Sequence, residues 1–252
     1  MIRHLNSMSL SWVACLALAL GLPSVSSAQE ILYAAAGVKL PIIELAKAYE
    51  KKSNRKIELD FDTAGAAEKK FLANPQATVL ITTLDRIQKN VAPMKQGNLS
   101  PLADTVAGIA MWSTTKPDLK TSEDLKKTLL NVKSIAFSDP SRGATVGTHF
   151  LKVIRELGIE KEVMAKSTLA RDGVETMKLV QFKQVELGIT QISEIVQADA
   201  SLLLGAFPDP YDLSTRYALW SGNNSETKEF VKFLSTEEAQ LIYKKHGLRP
   251  FQ

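Results

Sequence analysis

The spacing of apolar residues predicts a chain that alternates β-strands and α-helices. An apolar run over residues 31–36 suits a buried strand, and residues 57–62 alternate apolar and polar side chains as a half-buried strand does. Between these strands, apolar residues recur at helical spacing from Ile42 to Tyr49, and Pro41 falls in the first helical turn. This strand–helix–strand order predicts a parallel sheet with helices on both of its faces.

The same order continues along the rest of the chain. Two helices close it, and Ser235 with Glu238 has the spacing of a capping box for the last one, while Gly247 suits its C-terminal cap. The stretch 86–104 has no clear assignment. Further elements are predicted as helices over 68–73, 150–157 and 174–182 and as strands over 79–82, 134–137, 186–190 and 217–220.

The first 28 residues have the layout of a secretory signal peptide. Arg3 precedes a 13-residue apolar run, Leu10–Leu22, and the small residues Ser26 and Ala28 occupy the positions that signal peptidase requires. A membrane anchor is the alternative, but a helix needs ~20 apolar residues to span a bilayer. The sequence therefore predicts a signal peptide over 1–28 and export to a bacterial periplasm.

Composition and charge exclude several classes of protein. The 252 residues are 45% hydrophobic and 23% charged, which excludes a disordered chain, a collagen and a coiled-coil rod. The 31 Lys and Arg residues are interspersed with 27 Asp and Glu residues, so we expect no nucleic-acid partner. The single cysteine, Cys15, lies in the signal peptide, and the His and carboxylate residues lack metal-ligand spacing. We therefore expect neither a disulfide nor a metal or other cofactor.

Two turns from strand to helix are candidates for a ligand site. Residues 34–39 and 142–148 are rich in Ala and Gly, and each turn carries one cation, Lys39 or Arg142. Small residues let a ligand approach the backbone, and a helix start offers free N–H groups and a positive dipole end, which favour an anion. The alternative is that both turns are plain connections and both cations are solvated.

The order and spacing of further motifs resemble those of the molybdate-binding proteins, a family of type 2 periplasmic solute-binding proteins. The motifs are Tyr33–Ala36, Phe61–Gly65, Asp139-Pro140, Val146-Gly147, Leu157-Gly158, Gly188–Gln191 and the tail from Phe233 to Pro250. The resemblance implies an α/β fold of two lobes with a ligand cleft between them, and a monomer. It places lobe one at residues 29–112 plus 211–252 and lobe two at 113–210.

Departures from the family pattern argue against molybdate as the ligand. Gly37 and Ala64-Gly65 stand where the family has serines, so Thr63 is the hydroxyl that remains after the second strand. Gln191 stands where the family has a tyrosine. A buried oxyanion needs a dense shell of hydrogen-bond donors, because leaving it unpaired is costly. These substitutions also predict a roomier cleft.

The resemblance and these departures together predict a site for a small organic anion, a di- or tricarboxylate, since Arg pairs bidentately with a carboxylate. The leading hypothesis is a binding protein that captures this anion and delivers it to a membrane transporter. The predicted ligand-binding residues are Gly37, Lys39, Thr63, Ala64, Gly65, Thr82, Ser141, Arg142, Thr145, Val146, Gly147, Thr148, Gly173 and Gln191.

An enzymatic function is the alternative. The chain has no Gly-x-Ser-x-Gly motif, which argues against a serine hydrolase. The resemblance to molybdate-binding proteins also admits aconitate isomerase as an enzymatic relative, because this periplasmic enzyme is similar to them in overall sequence. It interconverts cis- and trans-aconitate by a cofactor-independent proton shift. Such chemistry needs a base and an acid, for which His149 and Lys39 are the candidates. His246, beside the predicted helix cap, is expected to be an exposed helix-end residue.

Overall fold

The fold is described by a computed structural model that covers residues 30–113 and 115–251. The predicted signal peptide lies outside these residues. Strands and helices alternate along the chain, which confirms the α/β class. Among the described residues, no helix is both long and apolar enough to cross a membrane.

The first lobe begins with the predicted alternation of strands and helices. Its strands β1 and β2 pair in parallel, with Glu30 opposite Ile57, and β1 also pairs in parallel with β3. A 3-10 turn, Ala36–Val38, leads directly into α1, and a π-helical turn, Ile87–Val91, extends α3. The elements are β1 (Glu30–Ala35), α1 (Lys39–Ser53), β2 (Ile57–Asp62), α2 (Ala64–Ala73), β3 (Val79–Thr83) and α3 (Leu84–Arg86).

The second lobe follows a long strand that leaves the first. The chain then returns to the first lobe for its last elements, which are β9 (Ser214–Ser221), α9 (Ser225–Phe233), α10 (Glu237–Lys245) and the two-residue β10 (Arg249–Pro250). The long strand and the second lobe comprise β4 (Asn98–Met111), α4 (Ser122–Asn131), β5 (Ile135–Ser138), α5 (Thr145–Glu156), α6 (Glu160–Met164), β6 (Ser167–Ala170), α7 (Gly173–Gln181), β7 (Leu187–Gln191), α8 (Ile192–Asp199) and β8 (Leu203–Ala206).

The long strand β4 joins the sheets of the two lobes. Its residues 98–106 pair with β9, and its residues 107–111 pair with β7, both in antiparallel fashion. The strand order is β2-β1-β3-β9-β4-β7-β5-β6. The change of strand partner along β4 places one crossing between the lobes after Val106, and the start of β9 places the other before Ser214. The sequence predicts these boundaries at 112 and 211. The predicted lobe boundaries stay a prediction.

The sheet is mixed, so the expectation of a parallel sheet is wrong for its centre. Pairs β3–β9, β9–β4 and β4–β7 are antiparallel because β4 and β9 run between the lobes in opposite directions. The unassigned stretch 86–104 forms the π-helical turn and the start of β4. The last helix is capped by Thr236, whose hydroxyl accepts from the Ala239 N–H; Ser235 still belongs to the turn that ends α9.

Each lobe has its own apolar core. The predicted apolar face of α1, from Ile42 to Tyr49, packs into the first core. The face of α5 packs into the second core through Phe150, Val153 and Ile154, and Phe150 stacks edge-on against Phe137 of β5. Full burial of one such side chain contributes about 1.5–3 kcal/mol. These two cores fix the starts of α1 and α5, which face each other across the space between the lobes.

Candidate functional site

A small cavity lies between the lobes at the carboxyl ends of several strands. Its volume is 30 Å³, which is room for about one water molecule. We call it the interlobe cavity. Its wall in the first lobe is formed by Ala35, Ala36, Gly37, Thr63, Ala64 and Tyr217, and its wall in the second lobe by Ser138, Ala144, Thr145, Val146, Gly173, Thr190, Gln191 and Glu194.

Two of the helix starts at this cavity have no side-chain cap. Ala35 precedes the 3-10 turn that leads into α1, and Ala144 precedes α5, and neither residue has a side-chain oxygen. By contrast, Thr63 caps α2 by accepting from the Ala66 N–H, and Asp172 caps α7. The first N–H groups of an uncapped helix need another acceptor. One such start comes from each lobe, so a ligand between them can bind both.

The cavity is narrower than the sequence predicts. The space left by the absent side chain of Gly37 is filled by the Tyr217 hydroxyl, and the space beside Gly65 is filled by the Gly143 backbone and the Arg86 guanidinium. The Gly65 N–H also donates to the Gly143 carbonyl across the lobes, at 3.1 Å. The small residues therefore allow close approach of the lobes, and the expectation of a roomier cleft is wrong for this closed arrangement.

Arg142 joins the two lobes through an ion pair. Its Nη2 donates to both carboxylate oxygens of Asp62, at 2.8 and 3.0 Å, and its Nε donates to the Arg171 carbonyl. Burial opposes ionisation of Asp62, but hydrogen bonds from Arg142, the Thr63 N–H and Lys70 outweigh it and hold the pKa of Asp62 below its ordinary value. Arg142 thus holds the lobes closed in this arrangement and does not line the cavity.

A second contact between the lobes lies at the start of α1. The Gln197 side chain of α8 donates to the Gly37 carbonyl at 2.9 Å, and it accepts from the Leu40 N–H at 3.0 Å. One amide group thus binds both a carbonyl and an N–H of the first lobe. This contact and the ion pair lie at different helix starts, and both join the two lobes.

The predicted ligand-binding residues fall into two groups. Those that line the interlobe cavity are Gly37, Thr63, Ala64, Thr145, Val146, Gly173 and Gln191.

The other predicted ligand-binding residues lie outside the interlobe cavity. Gly147 packs against the Ser138 carbonyl, and the buried Thr82 hydroxyl donates to the Ala64 carbonyl at 2.9 Å. Ser141 is exposed, with its N–H bound to Asp139, and Thr148 lines a different space. Gly65 and Arg142 hold the lobes together as described.

The two candidate acid–base residues also lie outside the cavity. The Lys39 ammonium lies over the ring of Phe61, 5.8 Å from its centroid. The His149 Nε2 lies 2.8 Å from the Tyr211 carbonyl, and its ring packs edge-on against Phe207. We expected His246 to be exposed, but its side chain is 13% exposed and its Nε2 lies 2.8 Å from the Glu44 carboxylate.

Sequence reasoning missed the ionisable groups that do line the cavity. Glu194 and Tyr217 both lie on its wall, and neither was a candidate. Burial raises the pKa of Glu194 to about 7, and burial likewise raises the pKa of Tyr217 well above its ordinary value. The pattern Gln191-x-x-Glu194 directly after a buried strand is the available signal, because it places a carboxylate in the first turn of a helix at the edge of the sheet.

A larger groove adjoins the interlobe cavity at Thr145. Its volume is 710 Å³, and we call it the outer groove. Arg86 lies 3.3 Å from Glu68, and Arg216 lies 3.3 Å from Asp104. The groove is lined by Thr83, Leu84, Asp85, Arg86, Lys89, Asn90, Asp104, Thr145, Thr148, Leu213, Ser214, Thr215 and Arg216.

We expect Asp62→Asn to destabilise the closed protein by about 1–3 kcal/mol at pH 7, because it removes the charged acceptor that Arg142 and Lys70 share. The pKa of Asp62 is lowered in the folded protein, so this contribution is full above the unfolded value of 3.8 and is lost as the pH falls through the folded pKa. Urea unfolding at pH 7 and at pH 3 measures both effects.

Asp60→Asn is the control for this prediction. Asp60 lies on the same strand, and among the described residues its ion-pair partner is Lys70, with both side chains about 40% exposed. Such exposed pairs contribute ~0–1 kcal/mol. Equal losses for the two variants at pH 7 would show that the Asp62–Arg142 pair contributes nothing beyond an ordinary surface pair.

Within residues 30–113 and 115–251, no three His, Cys, Asp or Glu side chains lie close enough together to hold a metal ion. The polar groups of the interlobe cavity are instead hydroxyls, amides, backbone N–H groups and the Glu194 carboxyl. Such a wall suits a ligand that is held by hydrogen bonds.

Several solved structures share this fold. The fold is similar to that of the periplasmic molybdate-binding protein of Azotobacter vinelandii (17% identity, 89% of this chain and 100% of that chain, TM-score 0.66). It is also similar to PEB3 of Campylobacter jejuni with L-phospholactate bound (20%, 88% and 99%, TM-score 0.65). A further match is a phosphate-bound substrate-binding protein from Clostridium perfringens (14%, 89% and 100%, TM-score 0.64).

No curated protein sequence matches the chain. The sequence model for bacterial extracellular solute-binding proteins matches residues 31–249, which is most of the chain. The solved structures share the two-lobed α/β fold that the resemblance to molybdate-binding proteins implied. The chain belongs to the bacterial extracellular solute-binding protein family.

Proposed function

We propose that this protein is a periplasmic binding protein that captures a small organic anion, a di- or tricarboxylate, between its lobes and delivers it to a membrane transporter. The observation that carries the proposal is the pair of uncapped helix starts, one from each lobe, at a single cavity. An anion bound there accepts hydrogen bonds from both starts and interacts favourably with both helix dipoles. Ligand binding would thus favour the closed arrangement of the lobes.

The size of the cavity limits how the ligand binds. A space of 30 Å³ does not hold a whole di- or tricarboxylate, so the lobes must separate to admit one. Thr145 lines both the interlobe cavity and the outer groove. We therefore expect one carboxylate at the helix starts and the rest of the ligand toward the outer groove, where the guanidinium groups of Arg86 and Arg216, each paired with one carboxylate, have further N–H groups to donate. This arrangement favours a ligand with more than one carboxylate.

The names of similar structures support an anion as the ligand. The names of three similar structures mention molybdate, L-phospholactate and phosphate, and all three ligands are anions. Among these, L-phospholactate is an organic acid. The helix starts described above offer the same chemistry to a carboxylate that they offer to a phosphate group.

Thermal unfolding with candidate anions tests the proposal. A ligand present at 100 times its Kd stabilises the fold by about 2.7 kcal/mol. We expect a tricarboxylate such as citrate to raise the melting temperature and molybdate to leave it unchanged, because the serine donors of molybdate-binding proteins are absent at Gly37 and Ala64. Stabilisation by molybdate alone would contradict the choice of ligand, and no stabilisation by any anion would contradict the proposed site.

A second candidate function is the isomerisation of cis- and trans-aconitate, and the Glu194 carboxyl is the observation that favours it. With a pKa of about 7, Glu194 suits a general base at neutral pH. In this hypothesis its carboxylate takes a proton from the methylene carbon, and the C–H electrons form the new double bond. The protonated Glu194 then returns the proton to the carbon of the original double bond that lies farther from the methylene, and the electrons of that double bond form the new C–H bond. Incubation with cis-aconitate, followed by assay of the trans isomer in wild type and Glu194→Gln, separates this function from capture alone.

A further inference from the structure

The Glu194 carboxyl is a hydrogen-bond acceptor in the wall of a cavity that is built for an anion. The residue is 7% exposed and lies in the first turn of α8. Its Oε2 accepts from the Thr190 hydroxyl and from the Gln191 N–H, and Gly173 packs directly against the carboxyl group. No Lys, Arg or His among the described residues forms an ion pair with it. A fully deprotonated ligand therefore meets an uncompensated carboxylate.

The side chain of Gln191 provides a second acceptor in the same wall. Gln191 is 3% exposed, and its Nε2 donates to the Thr215 hydroxyl at 2.9 Å. Its Oε1 is buried without a hydrogen-bond partner among the described residues. Buried acceptors are normally paired, so the unpaired Gln191 Oε1 in the cavity wall is available to accept a hydrogen bond from a donor that a ligand carries.

The groups that surround Glu194 do not provide a cation that compensates its negative charge. Asp172 at the start of α7 raises the pKa of Glu194 further after burial, and Tyr217 of β9 lies on the same wall. The 3-10 turn Ala36–Val38, β7 and β8 bring no titratable group to α8, and Asp104 of β4 is paired with Arg216. The charged neighbour of Glu194 is thus Asp172, a carboxylate that pairs at 3.3 Å with the exposed Arg171 and brings no positive charge to the Glu194 carboxyl. An anion that consists of acceptors only therefore meets no compensating cation at Glu194.

We propose, building on the proposed function, that the interlobe cavity selects organic anions that carry a hydrogen-bond donor, hydroxy acids above all, with Glu194 as the acceptor of the hydroxyl hydrogen. The carboxylate of the ligand then binds the helix starts, and its hydroxyl group satisfies Glu194 or shares its hydrogen with Gln191. A matched anion without the hydroxyl leaves the Gln191 Oε1 unpaired and brings its own negative charge beside Glu194 with no added hydrogen-bond donor. Glu194 is in this way a residue that determines specificity.

The selection depends on pH because Glu194 titrates near neutrality. Its pKa is raised to about 7, so above pH 7 it is a carboxylate that only accepts hydrogen bonds. Below pH 7 the protonated carboxyl can donate to an anion itself. The preference for a hydroxyl group is therefore largest at alkaline pH and decreases as the solution becomes more acidic.

The experiment compares citrate with propane-1,2,3-tricarboxylate, which has the same three carboxylates and lacks only the hydroxyl group. Titration calorimetry on the wild type at pH 8.5 and pH 6.0 gives the ratio of the two affinities. We expect citrate to bind at least about tenfold more tightly at pH 8.5, since a site built to bind a hydroxyl group rejects the analogue without it. At pH 6.0 we expect this ratio to fall by about threefold or more.

Glu194→Gln provides the second arm. The Gln side chain both donates and accepts, so the ratio falls toward one at both pH values, while Glu123→Gln on the exposed start of α4 leaves the ratio unchanged. The pH comparison in the wild type tests the inference even where Glu194→Gln does not fold. Equal binding of both acids at pH 8.5 overturns this inference alone, whereas binding of neither acid overturns the proposed function and the inference with it.

Discussion

Gly147→Ala is expected to destabilise the protein by at least ~2 kcal/mol and to lower the melting temperature by roughly 4–8 °C. Gly147 lies in the first turn of α5, and a Cβ atom there would overlap the Ser138 carbonyl at the end of β5. Backbone atoms on both sides cannot move aside cheaply. Helix propensity alone predicts the opposite sign, because alanine stabilises a helix interior by about 1 kcal/mol relative to glycine.

Gly205→Ala is the matched control for this substitution. A Cβ at Gly205 would lie 3.4 Å from a Leu119 methyl group, which is an ordinary contact, so we expect a change within about ±0.5 kcal/mol. Thermal and chemical unfolding of the two variants measure the difference. If Gly147→Ala is as stable as the wild type, α5 does not approach β5 as closely as described, and its start is not held at the interlobe cavity.

Gly173→Ala is expected to weaken binding of citrate by about 100-fold, which corresponds to ~2.7 kcal/mol. A Cβ at Gly173 would overlap the Glu194 carboxyl and the Thr190 hydroxyl, so the carboxyl must move into a cavity of only 30 Å³. It would then occupy the space of the ligand and bring a negative charge closer to it. Titration calorimetry at pH 7 measures the affinity.

Gly222→Ala is the control for the binding experiment. Its added Cβ would lie 3.9 Å from the Thr78 carbonyl, and Gly222 does not line the interlobe cavity, so we expect unchanged affinity. Circular dichroism shows whether Gly173→Ala is folded. A folded Gly173→Ala variant that binds citrate as tightly as the wild type would place the ligand elsewhere.

Much of the fold could be predicted from the sequence because the local patterns and the tertiary packing agree. The alternation over 57–62 gives β2 with the same bounds, and the apolar stripe from Ile42 to Tyr49 faces the first core. The long strand β4 could not be predicted. It begins among polar residues, contains Pro101 and pairs only with strands that are distant in sequence.

The candidate site could be predicted only in part. Backbone features such as the small residues at Gly37 and Gly173 pointed to the cavity because they depend on local geometry. The partners of charged side chains did not follow from the sequence, since Asp62 and Arg142 are 80 residues apart and meet only when the lobes close. Glu194 was missed because the pattern Gln191-x-x-Glu194 marks only the start of a helix, and the burial of the carboxyl follows from the tertiary structure.

A crystal structure of the protein with citrate is the measurement that tests the central claim most directly. The claim is that uncapped helix starts from both lobes bind one anion. We expect a carboxylate of citrate in the interlobe cavity, with oxygens within ~3.2 Å of backbone nitrogens at the start of α5 and in the 3-10 turn before α1. Citrate held only between Arg86 and Arg216 in the outer groove, with no carboxylate at either helix start, would contradict it.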